Sequence, residues 1–135
     1  MSELTLEARI ENLNQVLAFV DGELEKMDCT MKAQMQIDIA VEEIYVNIAH
    51  YAYTPDIGEA RIAVRKNPDT DQVEIEFRDR GVAFNPLEKE DPDTNLSAAE
   101  RKIGGLGIFM VKKSMDGMAY AREDGQNILT ISKKL

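Results

Sequence analysis

The sequence predicts a two-layer α/β (α+β) sandwich: a mixed, mostly antiparallel sheet covered on one face by about three helices. Two observations lead there. The hydrophobic period switches between two and about 3.6 along the chain, marking short strands and amphipathic helices. The strand runs are mostly joined as hairpins, so the helices must share one face of the sheet. A length of 135 residues fits one domain, residues 1–135, with one core and one site.

Each element follows from its own pattern. Residues 2–8 alternate apolar and polar, with Leu4, Leu6 and Ala8 on one side of a first strand. From about Glu11 the spacing becomes helical, through Leu13, Val16, Leu17, Val20 and Leu24, and fades near Met27-Asp28-Cys29-Thr30. A second helix is expected from about Met31 to Ala52, with Ile37, Val41, Ile44, Ile48 and Tyr51 as its apolar stripe, stopped by Thr54-Pro55-Asp56. Ile62 and Val64, then Val73, Ile75 and Phe77, form a hairpin around Asn67-Pro68-Asp69-Thr70-Asp71. Residues 85–103 carry Asn-Pro and Asp-Pro steps and mixed charges, a loop long enough to read as a lid. A third helix places Ile108, Val111 and Met115 on one face, and a closing hairpin from about Met118 to Ser132 turns at Glu123-Asp124-Gly125.

Composition narrows the function. With 44% hydrophobic and 30% charged residues, the chain is of the soluble globular kind rather than disordered. It has no run of about 18 apolar residues and no basic-then-apolar leader pattern, so the expected compartment is the cytoplasm and no membrane partner is expected. The single cysteine, Cys29, has no CxxC companion and is given no role. A formal charge of −9 opposes binding to DNA or RNA, which relies on Lys and Arg against phosphate.

Three local patterns carry possible chemistry. On a wheel of about 100° per residue, Glu43, Asn47 and His50 fall on one flank of the second helix. Such a flank is either solvated surface or the wall of a cleft. Asn47 is the less expected member, because an Asn in mid-helix competes for backbone hydrogen bonds. Asp79 shares the parity of Val73, Ile75 and Phe77 and so follows three core residues inward. It is either a turn-opening Asp before Gly81 or a buried carboxylate that needs donors, such as the amino group of a heterocycle. Gly104-Gly105-Leu106-Gly107 stands directly before the third helix, as a hinge or as a phosphate cradle at a helix N-terminus. It lacks the Lys-Ser or Lys-Thr of a P-loop, and no strand leads into it as a dinucleotide fingerprint requires. Arg101 and Lys102 just upstream suit phosphate oxygens or a solvated loop equally.

Taken in order, Glu43-Ile-Tyr-Val-Asn47-Ile-Ala-His50, Asp79-Arg-Gly81-Val-Ala-Phe84 and Gly104-Gly-Leu-Gly107 resemble the motifs of the GHKL (histidine kinase-like) ATPase superfamily, and within it the anti-sigma factor serine-protein kinases. The resemblance covers nearly the whole chain, including the closing Asn127-Ile-Leu-Thr130. It implies Glu43 as general base, Asn47 as Mg²⁺ ligand, Asp79 as acceptor for the adenine amino group, and Gly81 as the position that lets the base approach. The Gly104, Gly105, Leu106 and Gly107 backbone would wrap the phosphates. His50, Phe84, Arg101, Lys102 and Thr130 join the nucleotide site by the same carry-over, and the 85–103 loop becomes an ATP lid. Lys112 and Lys113 join Arg101 and Lys102 as charges that offset an acidic nucleotide. The stretch after Gly81 reads Val-Ala-Phe, without the second glycine of the wider superfamily's DxGxG pattern. The implied activity is phosphorylation, from Mg-ATP, of an anti-sigma-factor antagonist, with a sigma factor as the alternative protein partner and a possible homodimer. The alternative is an ATP-gated protein-binding module without transfer.

Overall fold

Two tight turns organise the sheet of this computed structural model, which describes residues 2–88 and 105–135. The strands are β1 Ser2–Glu7, β2 Glu59–Asn67, β3 Gln72–Asp79, β4 Gly117–Glu123 and β5 Gln126–Lys134; the helices are α1 Leu13–Lys26, α2 Met31–Asn47 and α3 Gly105–Ser114. Glu123 pairs with Gln126, so Asp124-Gly125 is a two-residue loop. Their φ values of 50° and 75° are the left-handed backbone that Asp-Gly supplies in a hairpin matching the strand twist. Asp71, at φ 54°, closes the β2–β3 hairpin in the same region.

The strand order is β1-β2-β3-β5-β4, and all four neighbouring pairs are antiparallel. The mixed sheet expected from sequence is therefore not formed among the described residues. β4 does run parallel to β3, but β5 lies between them, so the parallel pair never shares a ladder.

Alternation along β3 sorts the two faces. Val73, Ile75 and Phe77 are buried toward the helices with Ile62 and Val64 of β2 and Leu129 and Ile131 of β5. Against them pack Val16, Val20 and Leu24 from α1 and Ile37, Val41, Ile44 and Tyr45 from α2. Burial of such side chains contributes about 1.5–3 kcal/mol each before entropy is counted. The opposite face carries charge, with Arg65 on Glu74 at 2.8 Å and Arg78 on Glu76 at 2.9 Å. These partly solvated pairs contribute little.

Local chemistry sets the helix ends. α1 ends at Lys26, before Asp28 takes a φ of 55°, and Thr30 caps α2, its Oγ1 accepting from Ala33 N at 3.2 Å. The Tyr45 hydroxyl donates toward the carbonyls of Glu7 and Arg9, tying the exit of β1 to α2. The expected helix through Ala52 is present in two parts: α2 stops at Asn47 and continues as a π-helical turn, Ile48–Ala52. A wider turn advances each residue through a smaller angle, and such turns recur at functional sites. Among the described residues, no helix is long and apolar enough to cross a membrane.

Candidate functional site

A cavity of about 480 Å³ opens where the end of α2 and its π turn face the ends of β3 and β5. Its walls are mostly apolar, with Ile44, Ile48, Phe77, Ile108 and Leu129, and its polar groups are few: Asn47, Asp79, Asn127 and the two tyrosines Tyr51 and Tyr120. An apolar slot with a small number of convergent polar groups suits a flat heterocycle. At the mouth stand exposed apolar side chains, Tyr51 at 53%, Val82 at 65% and Phe84 at 44% of full accessibility.

Asp79 sits at the end of β3 on the helix-facing side, only 7% exposed. Its Oδ1 accepts from Gly81 N at 2.9 Å and from Asn127 Nδ2 at 3.0 Å. Both turn-opening and inward-facing readings of this residue therefore hold at once. No donor is recorded on Oδ2 among the described residues, which leaves that oxygen for a ligand donor. Gly81 is required for a separate reason. A methyl group there would collide with the backbone of Ala52, against which Val82 N also donates at 2.9 Å to the Ala52 carbonyl. The chain leaving β3 is thus pressed onto the π turn, and Arg122 Nη1 adds a 3.0 Å bond to the Gly81 carbonyl.

Glu43 and Asn47 form the other end of the site. They lie one turn apart on α2, with Asn47 Nδ2 donating to Glu43 Oε1 at 3.5 Å. Gly107, in the first turn of α3, packs so closely on Glu43 that a methyl group would overlap the carboxylate. The glycine therefore brings the N-terminus of α3, with the N–H groups of its first turn, beside the Glu43–Asn47 pair. Among the described residues, no three His, Cys, Asp or Glu side chains cluster to hold a metal. A single Asn side chain is compatible with magnesium, which usually takes few protein ligands and completes its shell with water and phosphate.

Five expected site residues fall elsewhere or outside the described residues. His50 is exposed and does not line the cavity; its ring meets Tyr51 edge-on at 5.8 Å between centroids. It was placed by an α-helical angle, and the π turn carries it off that flank while delivering Tyr51, expected in the core stripe, to the cavity mouth. Thr130 is on the wrong face of β5. Leu129 and Ile131 point at the helices, so Thr130 points away, opposite Glu76 and Ala119. Phe84 is at the mouth as expected. Arg101, Lys102 and Gly104, with most of the expected lid, lie outside the described residues; Gly105 and Leu106 open α3. Lys112 and Lys113 occupy the last turn of α3, about 10 Å along the axis from Gly105 and so not at its N-terminus.

Sequence reasoning missed Asn127, which is 6% exposed and directly opposite Asp79 in the β3–β5 ladder. The signal was present, since Asn127, Leu129 and Ile131 share one parity as Asp79 does with Phe77. Tyr120 was missed too; its hydroxyl donates to Asn127 Oδ1.

A buried acceptor lies at one end of the apolar slot, and a Glu–Asn pair beside a glycine-started helix lies at the other. The chain belongs to the histidine kinase-like ATPase domain family, whose model matches residues 6–133. It is 27% identical over 131 residues to the serine-protein kinase RsbW of Bacillus mycoides, covering 94% of this chain and 81% of that protein. RsbW of Bacillus cereus is 28% identical over the same share of both chains. The serine/threonine-protein kinase BtrW of Bordetella bronchiseptica is 26% identical over 101 residues, 75% of this chain and 70% of that one.

Proposed function

We propose that this protein is an ATP-dependent serine-protein kinase that phosphorylates an anti-sigma-factor antagonist and regulates a sigma factor by switching between the two partners. The observation that carries the nucleotide part is Asp79, a buried carboxylate with one oxygen doubly bonded and the other left on an apolar cavity beside Gly81. The names of the similar proteins carry the kinase part.

The residues fit the nucleotide. Asp79 accepts the amino group of adenine, the apolar walls exclude water from the ring, and Tyr51, Val82 and Phe84 cover its edge. Asn47 holds the magnesium ion, and the start of α3 from Gly105 to Gly107 faces the phosphates with backbone N–H groups. Mg-ATP supplies the phosphoryl group and the counter-charge that a chain of net charge −9 needs to bind a polyanion. Glu43 takes the proton of the acceptor serine hydroxyl, held in place by Asn47. Sites of this kind work by positioning and charge stabilisation rather than covalent chemistry. Location in the cytoplasm and a homodimer belong to the same reading.

The test is transfer from labelled ATP to an antagonist protein by the parent and by Glu43→Gln. The variant is expected to bind Mg-ATP as the parent does and to lose transfer by at least about a hundredfold. Undiminished transfer removes Glu43 as the base. Nucleotide-dependent complex formation without transfer by the parent replaces the kinase with an ATP-gated binding module.

A further inference from the structure

The hydrogen bonding beneath Asp79 assigns a role to a residue outside the expected site. Asn127 uses the whole capacity of its amide. Nδ2 donates to Asp79 Oδ1 at 3.0 Å and to the Val82 carbonyl at 2.8 Å. Oδ1 accepts from Phe84 N at 3.3 Å and from the Tyr120 hydroxyl. The amide orientation is fixed because a flipped group would set like against like at Asp79, Val82 and Phe84, while the Tyr120 hydroxyl can donate or accept.

We infer that Asn127 is the positioning residue for base recognition: by engaging Asp79 Oδ1 and clamping Val82 and Phe84, it fixes Asp79 as a pure acceptor and so selects a 6-aminopurine over a 6-oxopurine. The inference rests on the nucleotide site proposed above and adds the specificity device to it. With Oδ1 accepting from Gly81 N and Asn127 Nδ2, the Asp79 carboxylate is held from turning and Oδ2 is left as an acceptor. A 6-amino group finds an acceptor in Oδ2, whereas a 6-oxo group meets a second acceptor and is repelled. The same side chain holds the mouth of the cavity, since Val82 and Phe84 are its other two backbone contacts. Through Tyr120 on β4 and through Val82 and Phe84, Asn127 links the β4–β5 hairpin to the loop after β3.

The test is calorimetric binding of Mg-ATP and Mg-ITP, which differ in the 6-substituent, to the parent, Asn127→Ala and Asn127→Asp at pH 6 and pH 8. The parent is expected to prefer ATP at both pH values. Asn127→Ala is expected to narrow the ATP-to-ITP preference about tenfold, as a site that loses its fixed polar partner discriminates less. Asn127→Asp keeps the size of the side chain but places a carboxylate against Asp79. One of the pair then holds a proton more tightly. At pH 6 the shared proton restores the bridge, and at pH 8 two negative charges break it. ATP binding by this variant should therefore weaken about tenfold more than that of the parent between pH 6 and pH 8. Thermal unfolding without nucleotide separates loss of fold from loss of recognition for the Ala variant, and the Asp variant decides if the Ala variant does not fold. A parent that binds ATP, with an Asp variant that keeps the parent's pH profile and its ATP-to-ITP ratio, overturns the role of Asn127. A folded parent that binds neither nucleotide overturns the nucleotide site itself.

Discussion

Asp79 and the half-buried Asp21–Asp38 pair keep carboxylate oxygens away from water in opposite ways. Asp79 faces two donors, Gly81 N and Asn127 Nδ2, both on one oxygen. Asp21 on α1 and Asp38 on α2 face each other, with Oδ1 of each sealed from water and no other group donating to it among the described residues. Burial, together with the neighbouring Asp21 carboxyl, pushes Asp38 up to about 7, so that a proton is held between the two helices. The lesson concerns function as much as stability. A carboxylate with donors on one oxygen is held in place to meet a ligand with the other, whereas one without donors is driven to hold a proton.

The comparison breaks most sharply at Asp79. Asp79→Asn replaces one acceptor oxygen with a donor and is expected to lower Mg-ATP affinity by about a hundredfold, or roughly 3 kcal/mol. Gly81→Ala comes next. Its methyl group strikes the Ala52 backbone, and unfolding midpoints should fall by the equivalent of about 1–3 kcal/mol, with weaker nucleotide binding.

At the other carboxylate site the sign reverses. Asp38→Asn gives Asp21 a permanent donor and is expected to raise stability by about 1 kcal/mol at pH 8, or roughly 4 °C in thermal unfolding. The pH dependence follows from the raised value. The folded state keeps a proton on Asp38 that the unfolded chain releases near its ordinary 3.8. This contribution is full below about pH 4 and is lost as pH rises toward 7. The benefit of Asp38→Asn should accordingly shrink as pH is lowered from 8 to 5. A benefit larger at pH 5 would contradict the shared proton. The smallest effect belongs to Thr130→Val. On the outer face of the sheet, away from the cavity, it should leave ATP affinity within about twofold and stability within about 0.5 kcal/mol.

The architecture was legible because its signals are local. Periods of two in β1, β3 and β5, helical spacing in α1 and α2, and Asp-Gly at the last hairpin each specify their element without reference to the rest. Asp79 was legible for the same reason, since parity with Phe77 turned a polar residue inward. The expectation for His50 failed because periodicity assumes one helix type, and the π turn at Ile48–Ala52 changes the angle per residue. Motif carry-over ignored parity at Thr130, which puts Asn127 and not Thr130 beside Asp79. The antiparallel insertion of β5 between β3 and β4 is a long-range pairing that no local pattern encodes. Nor does any local pattern reveal the Asp21–Asp38 contact, which depends on how two helices cross.

The central claim is that Asp79 reads a nucleotide base, and calorimetry of ATP with the parent and Asp79→Asn, in magnesium and in excess chelator, tests it most directly. The account predicts magnesium-dependent binding by the parent that is lost by about a hundredfold in Asp79→Asn, with both proteins folded. Equal affinity in the two proteins, or affinity unchanged by chelator, would contradict it.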